Sequence, residues 1–589
     1  MLIAAVFLAL AFGFAEVSIL AVQRHVLGHF IWTPGPFVWM TPLSYLMFFA
    51  VVGCLLSLVA ILRPTWTSPR SVTFVLVALG TLSLLSMLRR IHPLALVLLA
   101  CGVAATMGRV VAQRPTAWER AYRRGTVLLL TLWVGALGVD LTKEQVEGRK
   151  DSTSAEASLP NVLLIVWDTV RARSLSLYGY DLETTPFLEQ LANHAVVFDQ
   201  AISTASWTLP AHGSLFTGRD AHELSANWLT PFGDEHRTLA EVFGEHGYRT
   251  AAFTANWAYT DGEKGLSRGF DTYVDHRITI AQVMLSSALG QLVYRWVGGI
   301  MVTQGAVDFL REIEYVHPFP GRMADRRLAA DVNHEFFNWL QTESSRPFFA
   351  FLNFMDAHHP YNAPEEYLNR VGTGDPHSDA YHAAIALLDE HLQHLFERLE
   401  AANRLDHTIV VITSDHGELL GEHDLIGHGN SLYLPLLHVP LLLYAPGRVP
   451  EGTRVLEAVS LRQLPATLIE VAGIDAHLPG ESLTDLWLGR PRDIASPILA
   501  EVRAGLNTPE HYPVTIGDMW SVTTSRYHYI VDGLGRVELY DHRQDPLELH
   551  DLAQDQPGSL PADLETEVQA AEAILRAGPR PLPTTDRAH

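Results

Sequence analysis

At 589 residues the chain is longer than one simple core accommodates, so two or more units are expected. Hydrophobic residues make up 48% of it and the mean hydropathy is +0.11, which is high for a wholly soluble protein of this size. Residues 1–150 hold 13 Lys and Arg against 5 Asp and Glu, a local balance of +8 that leaves −31 for the remainder of a chain whose total is −23. An acidic remainder excludes a basic phosphate-tracking surface, and with it nucleic acid as a partner. The two cysteines, Cys54 and Cys101, both sit in apolar runs, so the large remainder has no disulfide framework, cysteine nucleophile or thiolate metal site.

Apolar runs recur at 1–22, 37–62, 71–88, 91–108 and 125–142, each near the ~20 residues that span a hydrocarbon core. The first lacks the basic opening of a signal peptide and is followed by four more. About five transmembrane helices are therefore expected, in a helical domain over 1–145. Arg109, Arg114, Arg120, Arg123 and Arg124 follow the fourth run, with only Glu119 against them. By the positive-inside tendency that loop is cytoplasmic, and Arg63 and Arg70 fall on the same side. Arg89 and Arg90 run against this orientation. Five crossings place the N-terminus inside and everything after about residue 145 outside, which implies a multi-pass protein of the cell (inner or plasma) membrane with its large C-terminal domain extracytoplasmic.

Residues 146–159 are polar and unpatterned, as suits a linker. Beyond them, continuous β-prone runs at 161–166, 250–254, 348–354, 408–413 and 439–444 alternate with helical patterns at 185–194, 236–247, 380–402 and 461–473. Unbroken apolar strands read as buried on both faces, and the alternation predicts an α/β fold with a mostly parallel sheet. Segment 280–302 is apolar but contains Arg295, and it reads as an amphipathic or lid segment rather than a crossing. Runs at 527–531 and 536–540 flank a Gly-containing loop and predict a hairpin in a C-terminal subdomain over 516–575. The Pro-rich stretch 576–589 is expected to be disordered. The α/β domain then covers 160–515.

In parallel α/β sheets, ligands bind beyond the carboxyl ends of the strands. Asp168 directly follows the first strand, Asp356, His358 and His359 follow the third, and Asp415 and His416 follow the fourth. Carboxylates and imidazoles gathered from separate strands suit a divalent cation or acid–base work. In residues 206–219, SWTLPAHGSLFTGR, Pro210 fits a helix first turn and Gly218 its end. Thr208 would stand where backbone N–H groups favour an anion; the alternative is that it merely caps the helix.

From about 160 to 555 the chain resembles the sulfatase family of the alkaline-phosphatase superfamily. The matching segments run in order: NVLLIVWD with SLYGY and TTPFLEQLA, WTLPAHGSLFTGR, DAHHPY, TSDHGELLGEHDLIGHGN, HVPLLLYAPG and ELYDHRQDPLELHDLA. The resemblance implies an alkaline-phosphatase-like sheet flanked by helices with a small C-terminal antiparallel sheet. It also implies Asp168, Asp415 and His416 as ligands of one divalent metal ion, with Thr208 as both nucleophile and metal contact. Zinc or manganese suits this set better than magnesium or calcium. His358 resembles the histidine that holds the transferred group or protonates the leaving oxygen. His428 falls where many sulfatases carry an anion-contacting lysine.

Two departures bear on the reaction. The usual C/S-x-P-x-R motif, whose first residue becomes formylglycine, reads Thr208-Leu-Pro-Ala-His212, and Thr169 replaces the second aspartate of the usual pair. Both are similar to the membrane-bound branch with a threonine nucleophile, which includes phosphoethanolamine and phosphoglycerol transferases. A formylglycine hydrate can expel sulfate by elimination through its second hydroxyl; a threonine has none. A phospho-threonine is resolved by ordinary displacement at phosphorus. The expectation is therefore phosphodiesterase or transferase chemistry on a lipid-linked or glycan ester, with sulfate-ester hydrolysis and a catalytically silent binding protein as alternatives.

Overall fold

A computed structural model describes residues 1–26, 36–88, 91–147, 159–228, 230–256, 259–275, 280–301, 327–342, 345–361, 363–490, 497–505, 509–555 and 560–577. Most of the expected linker and most of the expected disordered tail lie outside these residues. The chain divides into two compact units, Met1–Arg149 with Arg277–Arg326, and Lys150–His276 with Arg327–His589.

The first unit contains α1 (Leu2–His25), α2 (Phe37–Leu62), α3 (Pro69–Ser86), α4 (Pro93–Gln113) and α5 (Pro115–Glu147). The first four are near-uniformly apolar and leave no polar face to put in water, whereas α5 carries charged residues at its start, Glu119 to Arg124. Four of them, α1 to α4, are long and apolar enough to cross a membrane. The fifth expected crossing runs inside α5, whose side chains from residue 140 onward lie outside what is described.

Segment 280–301 forms two helices, α9 (Ile280–Leu285) and α10 (Ala288–Met301), which belong to this unit and pack on α2 and α3. At 6 and 14 residues neither reaches the ~20 needed for a crossing. Polar contacts hold the α9–α10 junction in apolar surroundings. The Thr41 hydroxyl donates to Ser286 O at 3.1 Å, and the Ser44 hydroxyl to Met284 O at 2.8 Å. Glu16 of α1 is 2% exposed; its Oε1 accepts from the Ala288 N–H and its Oε2 from the Tyr45 hydroxyl, both at 2.8 Å. Glu16→Ala strands both donors. We expect it to destabilise the detergent-solubilised protein by about 1–4 kcal/mol, read as thermal unfolding, while Glu16→Gln recovers part of that loss because its amide oxygen still accepts.

The second unit is built on a nine-stranded sheet: β1 (Asn161–Trp167), β2 (Val196–Ile202), β3 (Arg249–Thr254), β4 (Thr272–Val274), β5 (Phe348–Phe354), β6 (Thr408–Ser414), β9 (His438–Val439), β10 (Leu441–Tyr444) and β11 (Thr453–Ser460), while β7 (Leu419–Leu420) and β8 (Ile426–Gly427) form a separate pair. The strand order is β11-β2-β10-β6-β1-β5-β3-β4, with β9 beside β2. Pairings from β6 through β4 are parallel, and β10 runs antiparallel to both its neighbours. Every residue of β1, β5 and β6 is buried, as their unbroken apolar runs predict. The helix α11 (Ala329–Leu340) and the longer α12 (Pro376–Ala401) cover the sheet through Val332, Phe336, Leu388 and Leu392.

The expected hairpin pairs β14 (Tyr527–Val531) with β15 (Val537–Asp541). It joins β13 (Met519–Thr523) and β12 (Ile498–Val502) in a four-stranded antiparallel sheet. The mixed α/β fold with this smaller sheet therefore stands as expected. Strands β2 and β11 were not anticipated; their burial is mixed, and Asp199, Gln200 and Glu457 interrupt the apolar pattern.

Candidate active site

The register of the sheet creates the site. Trp167 of β1 pairs with Ser414 of β6 on one side and Phe354 of β5 on the other, so the next residues, Asp168 and Asp415, emerge side by side. One ligand atom each from Asp168, Asp415 and His416 lies within 4.8 Å of the others, and all three residues are fully buried. Asp168 Oδ2 accepts from the Asn256 amide at 2.7 Å, and Asp415 Oδ1 from the backbone N–H groups of His416 (2.9 Å) and Thr169 (3.2 Å). Asp168 Oδ1 and Asp415 Oδ2 are buried with no hydrogen-bond partner among the described residues.

Two orphaned carboxylate oxygens beside a buried imidazole are costly without a cation. Burial, aided for Asp168 by the neighbouring Asp415 charge, pushes both carboxyls up to about 7, and burial pushes His416 down to about 4. His416 commits Nδ1 to Gly417 O at 3.0 Å, which leaves Nε2 with the lone pair on the side of Asp415 and Thr208. The donor set fits a divalent cation with mixed O and N ligation.

Thr208 opens α7 (Thr208–Thr217), and Trp207 occupies the N-cap position without a side-chain capping bond. The Thr208 hydroxyl is not spent on capping: it lies 3.1 Å from His416 Nε2, fully buried. The helix ends at Gly218, with φ +72 and no room for a side chain, since a Cβ there would lie 1.9 Å from Pro479 O. His212, one turn on, turns Nδ1 to Thr208 O at 2.8 Å and approaches Asp415 Oδ2 to 3.6 Å. Burial pushes His212 down to about 4, so this approach is a contact of a neutral ring rather than an ion pair, and its Nε2 is unpartnered among the described residues.

His416, His428 and His358 form a chain of rings with centroid separations of 4.5 and 5.1 Å. His428 bonds through Nδ1 to Glu418 Oε1 at 2.9 Å; burial pushes the ring down to about 4 and Glu418 up to about 7. Behind His428, Trp207 stacks on Trp228 at 3.5 Å, and Gly429 at φ +68 admits the pair, since a Cβ there would lie 2.7 Å from Trp207.

The six residues expected at the site, Asp168, Thr208, His358, Asp415, His416 and His428, come together. Asp356 does not join them: its Oδ2 accepts from Ala329 N at 2.8 Å, capping α11. Thr169 does not stand in for a second acidic ligand, because its hydroxyl is 2.7 Å from Asp168 O and 3.0 Å from Ala357 O. Its φ of +64, unusual for a branched residue, is held by the bond from its N–H to Asp415. Glu418, Asn256 and the ring of His212 were missed as site members. Asn256 sits just past β3, so the strand-end rule already pointed to it.

Residues 160–474 match the sulfatase family profile, more than half of the chain. The uncharacterized sulfatase YidJ of Escherichia coli is 25% identical over 67% of this chain and 83% of its own length. Human arylsulfatase K is 24% identical over 72% of this chain and 84% of its own length. Among solved structures, a phosphonate monoester hydrolase of Agrobacterium radiobacter superposes with a TM-score of 0.52 at 21% identity, covering 71% of this chain and 95% of that one. Sheet order, a metal-competent cluster at the strand ends and the family profile agree: the chain is an enzyme of the sulfatase family.

Proposed function

We propose that this enzyme cleaves or transfers a phosphate-ester group through Thr208, anchored in a membrane by its apolar helices. The observation that carries the reading is a threonine hydroxyl, free of capping duty, placed 3.1 Å from His416 Nε2 beside two orphaned carboxylate oxygens. A divalent cation held by Asp168, Asp415 and His416 would lower the hydroxyl pKa and balance charge on the non-bridging oxygens. Thr208 Oγ1 attacks phosphorus as the bond to the leaving oxygen breaks, and a second attack by water or a glycan hydroxyl restores the threonine. The first turn of α7 adds backbone N–H groups suited to the transferred anion. His358 is assigned the proton delivered to the leaving oxygen, and His428, fixed through Glu418, the contact to the anion. The arginines clustered at the end of α4 and the start of α5, from Arg109 to Arg124, favour a catalytic unit outside the cytoplasm, near lipid-linked or glycan substrates.

The relatives named arylsulfatase support a second reading, hydrolysis of sulfate esters. The test is intact mass and turnover of the detergent-purified protein with a phosphodiester and an aryl sulfate, with and without Mn²⁺ or Zn²⁺. A phosphoryl adduct on Thr208 is expected with the phosphodiester. Sulfate release without phosphodiester turnover overturns the proposal in favour of the second reading.

A further inference from the structure

A cavity of about 670 Å³ opens in the catalytic unit between β2 and the turn that follows β15. None of Asp168, Thr208, Asp415, His416 or His428 lines it, so it is separate from the site above. Its size is that of a small-molecule pocket, and its charge is uneven. Arg454 is neutralised by Asp199 at 2.6 Å. Arg173 and Arg543, both in the lining, have no carboxylate within ion-pair distance among the described residues: Arg173 Nη1 reaches Pro546 O at 3.4 Å, and Arg543 Nε donates to Ser525 O at 2.7 Å. Arg173 is half-buried, and its burial together with the adjacent Arg171 charge holds its guanidinium below the usual range. Gln200 also lines the cavity, and its side-chain oxygen is buried with no hydrogen-bond partner among the described residues.

The Glu422 carboxylate acts on Arg173 but is already paired with Arg171 at 2.7 Å, so a bound anion would offset the half-buried guanidinium, whose planar fork matches the oxygens of sulfate or phosphate. An unpartnered amide end nearby calls for a hydrogen-bonding group on the same ligand. We propose that this cavity is a second anion site, in which Arg173 and Arg543 seat a sulfate or phosphate group, free or borne on a sugar-sized ligand whose polar part faces Gln200. Such a site would let the enzyme retain released oxyanion or grip a second charged group of an ester substrate away from Thr208.

The test is calorimetric titration of inorganic sulfate, inorganic phosphate and glucosamine 6-sulfate into the full-length solubilised chain. It is run in the Thr208→Ala background, alone and with Arg173→Gln or Arg543→Ala. Binding should persist in Thr208→Ala and weaken roughly 10- to 100-fold with Arg173→Gln. Arg543→Ala alters an exposed side chain, so its expected, smaller weakening is read without risk to the fold. Tighter binding of the sugar sulfate than of inorganic sulfate assigns the sugar-borne group; equal binding assigns the free ion. Absence of binding in Thr208→Ala, or binding unchanged by both arginine substitutions, overturns the proposal.

Discussion

Thr208→Ala is expected to lower turnover of a phosphodiester by roughly 10⁴- to 10⁶-fold, the range seen when a catalytic nucleophile is removed. The Oγ1 is the atom at issue: it is fully buried, opens α7 and lies 3.1 Å from His416 Nε2. Alanine keeps the helix, since the side chain makes no capping bond, so the loss should come without unfolding. Thr208→Ser, which retains the hydroxyl, should recover much of the activity and still take up a phosphoryl group by intact mass. Undiminished turnover in Thr208→Ala would sink the threonine mechanism.

Divalent-metal affinity is expected to climb steeply with pH up to about pH 7 and to level off above it. Without a cation, burial raises Asp168 and Asp415 to about 7, above their ordinary 3.8. Below that pH both hold protons that an incoming cation must displace, so affinity can change by up to about 100-fold per pH unit. His416, pushed down to about 4, is neutral throughout and does not compete. Metal titrations from pH 5 to 8, with proton release measured alongside, read this directly. Asp415→Asn should weaken binding by roughly 100-fold or more and flatten the pH dependence; a pH-independent affinity would contradict the assigned ligands.

The same shifts set the metal-free stability. The two aspartates ionise near 4 unfolded but near 7 folded, so their contribution falls as pH rises between those values. His212, His416 and His428, near 4 folded against 6.5 in the unfolded chain, act in the opposite direction between pH 4 and 6.5. The stability gained on adding metal, rather than the absolute melting temperature, therefore isolates the carboxylates, and it should be larger at pH 8 than at pH 5.5.

Strands buried on both faces were legible because nothing polar interrupts them: 348–354 was expected and found without a residue's shift. The strands β2 and β11 were not, because their burial is mixed and the polar residues Asp199 and Glu457 interrupt the apolar run. The apolar segment 280–301 was legible as unfit to cross alone. Its partners were not, because Glu16, Thr41 and Ser44 lie more than 230 positions earlier and are joined to it only by packing.

By itself the sequence determined which residue types stand at the strand ends: Asp168 and the Asp415–His416 pair each follow an apolar run that must be a buried strand, and Thr208 precedes a proline that must open a helix. Which of these side chains share one space depends on strand pairings between segments remote in sequence. The parallel register sets Trp167 against Ser414 and Phe354, which brings Asp168 to Asp415 and sends Asp356, two residues beyond β5, back to cap α11. Chain position fixes the edge of the sheet a residue reaches, but the direction of its side chain depends on φ, ψ and on neighbours remote in sequence. That is why Glu418 and His212 became visible as members of the site only in three dimensions.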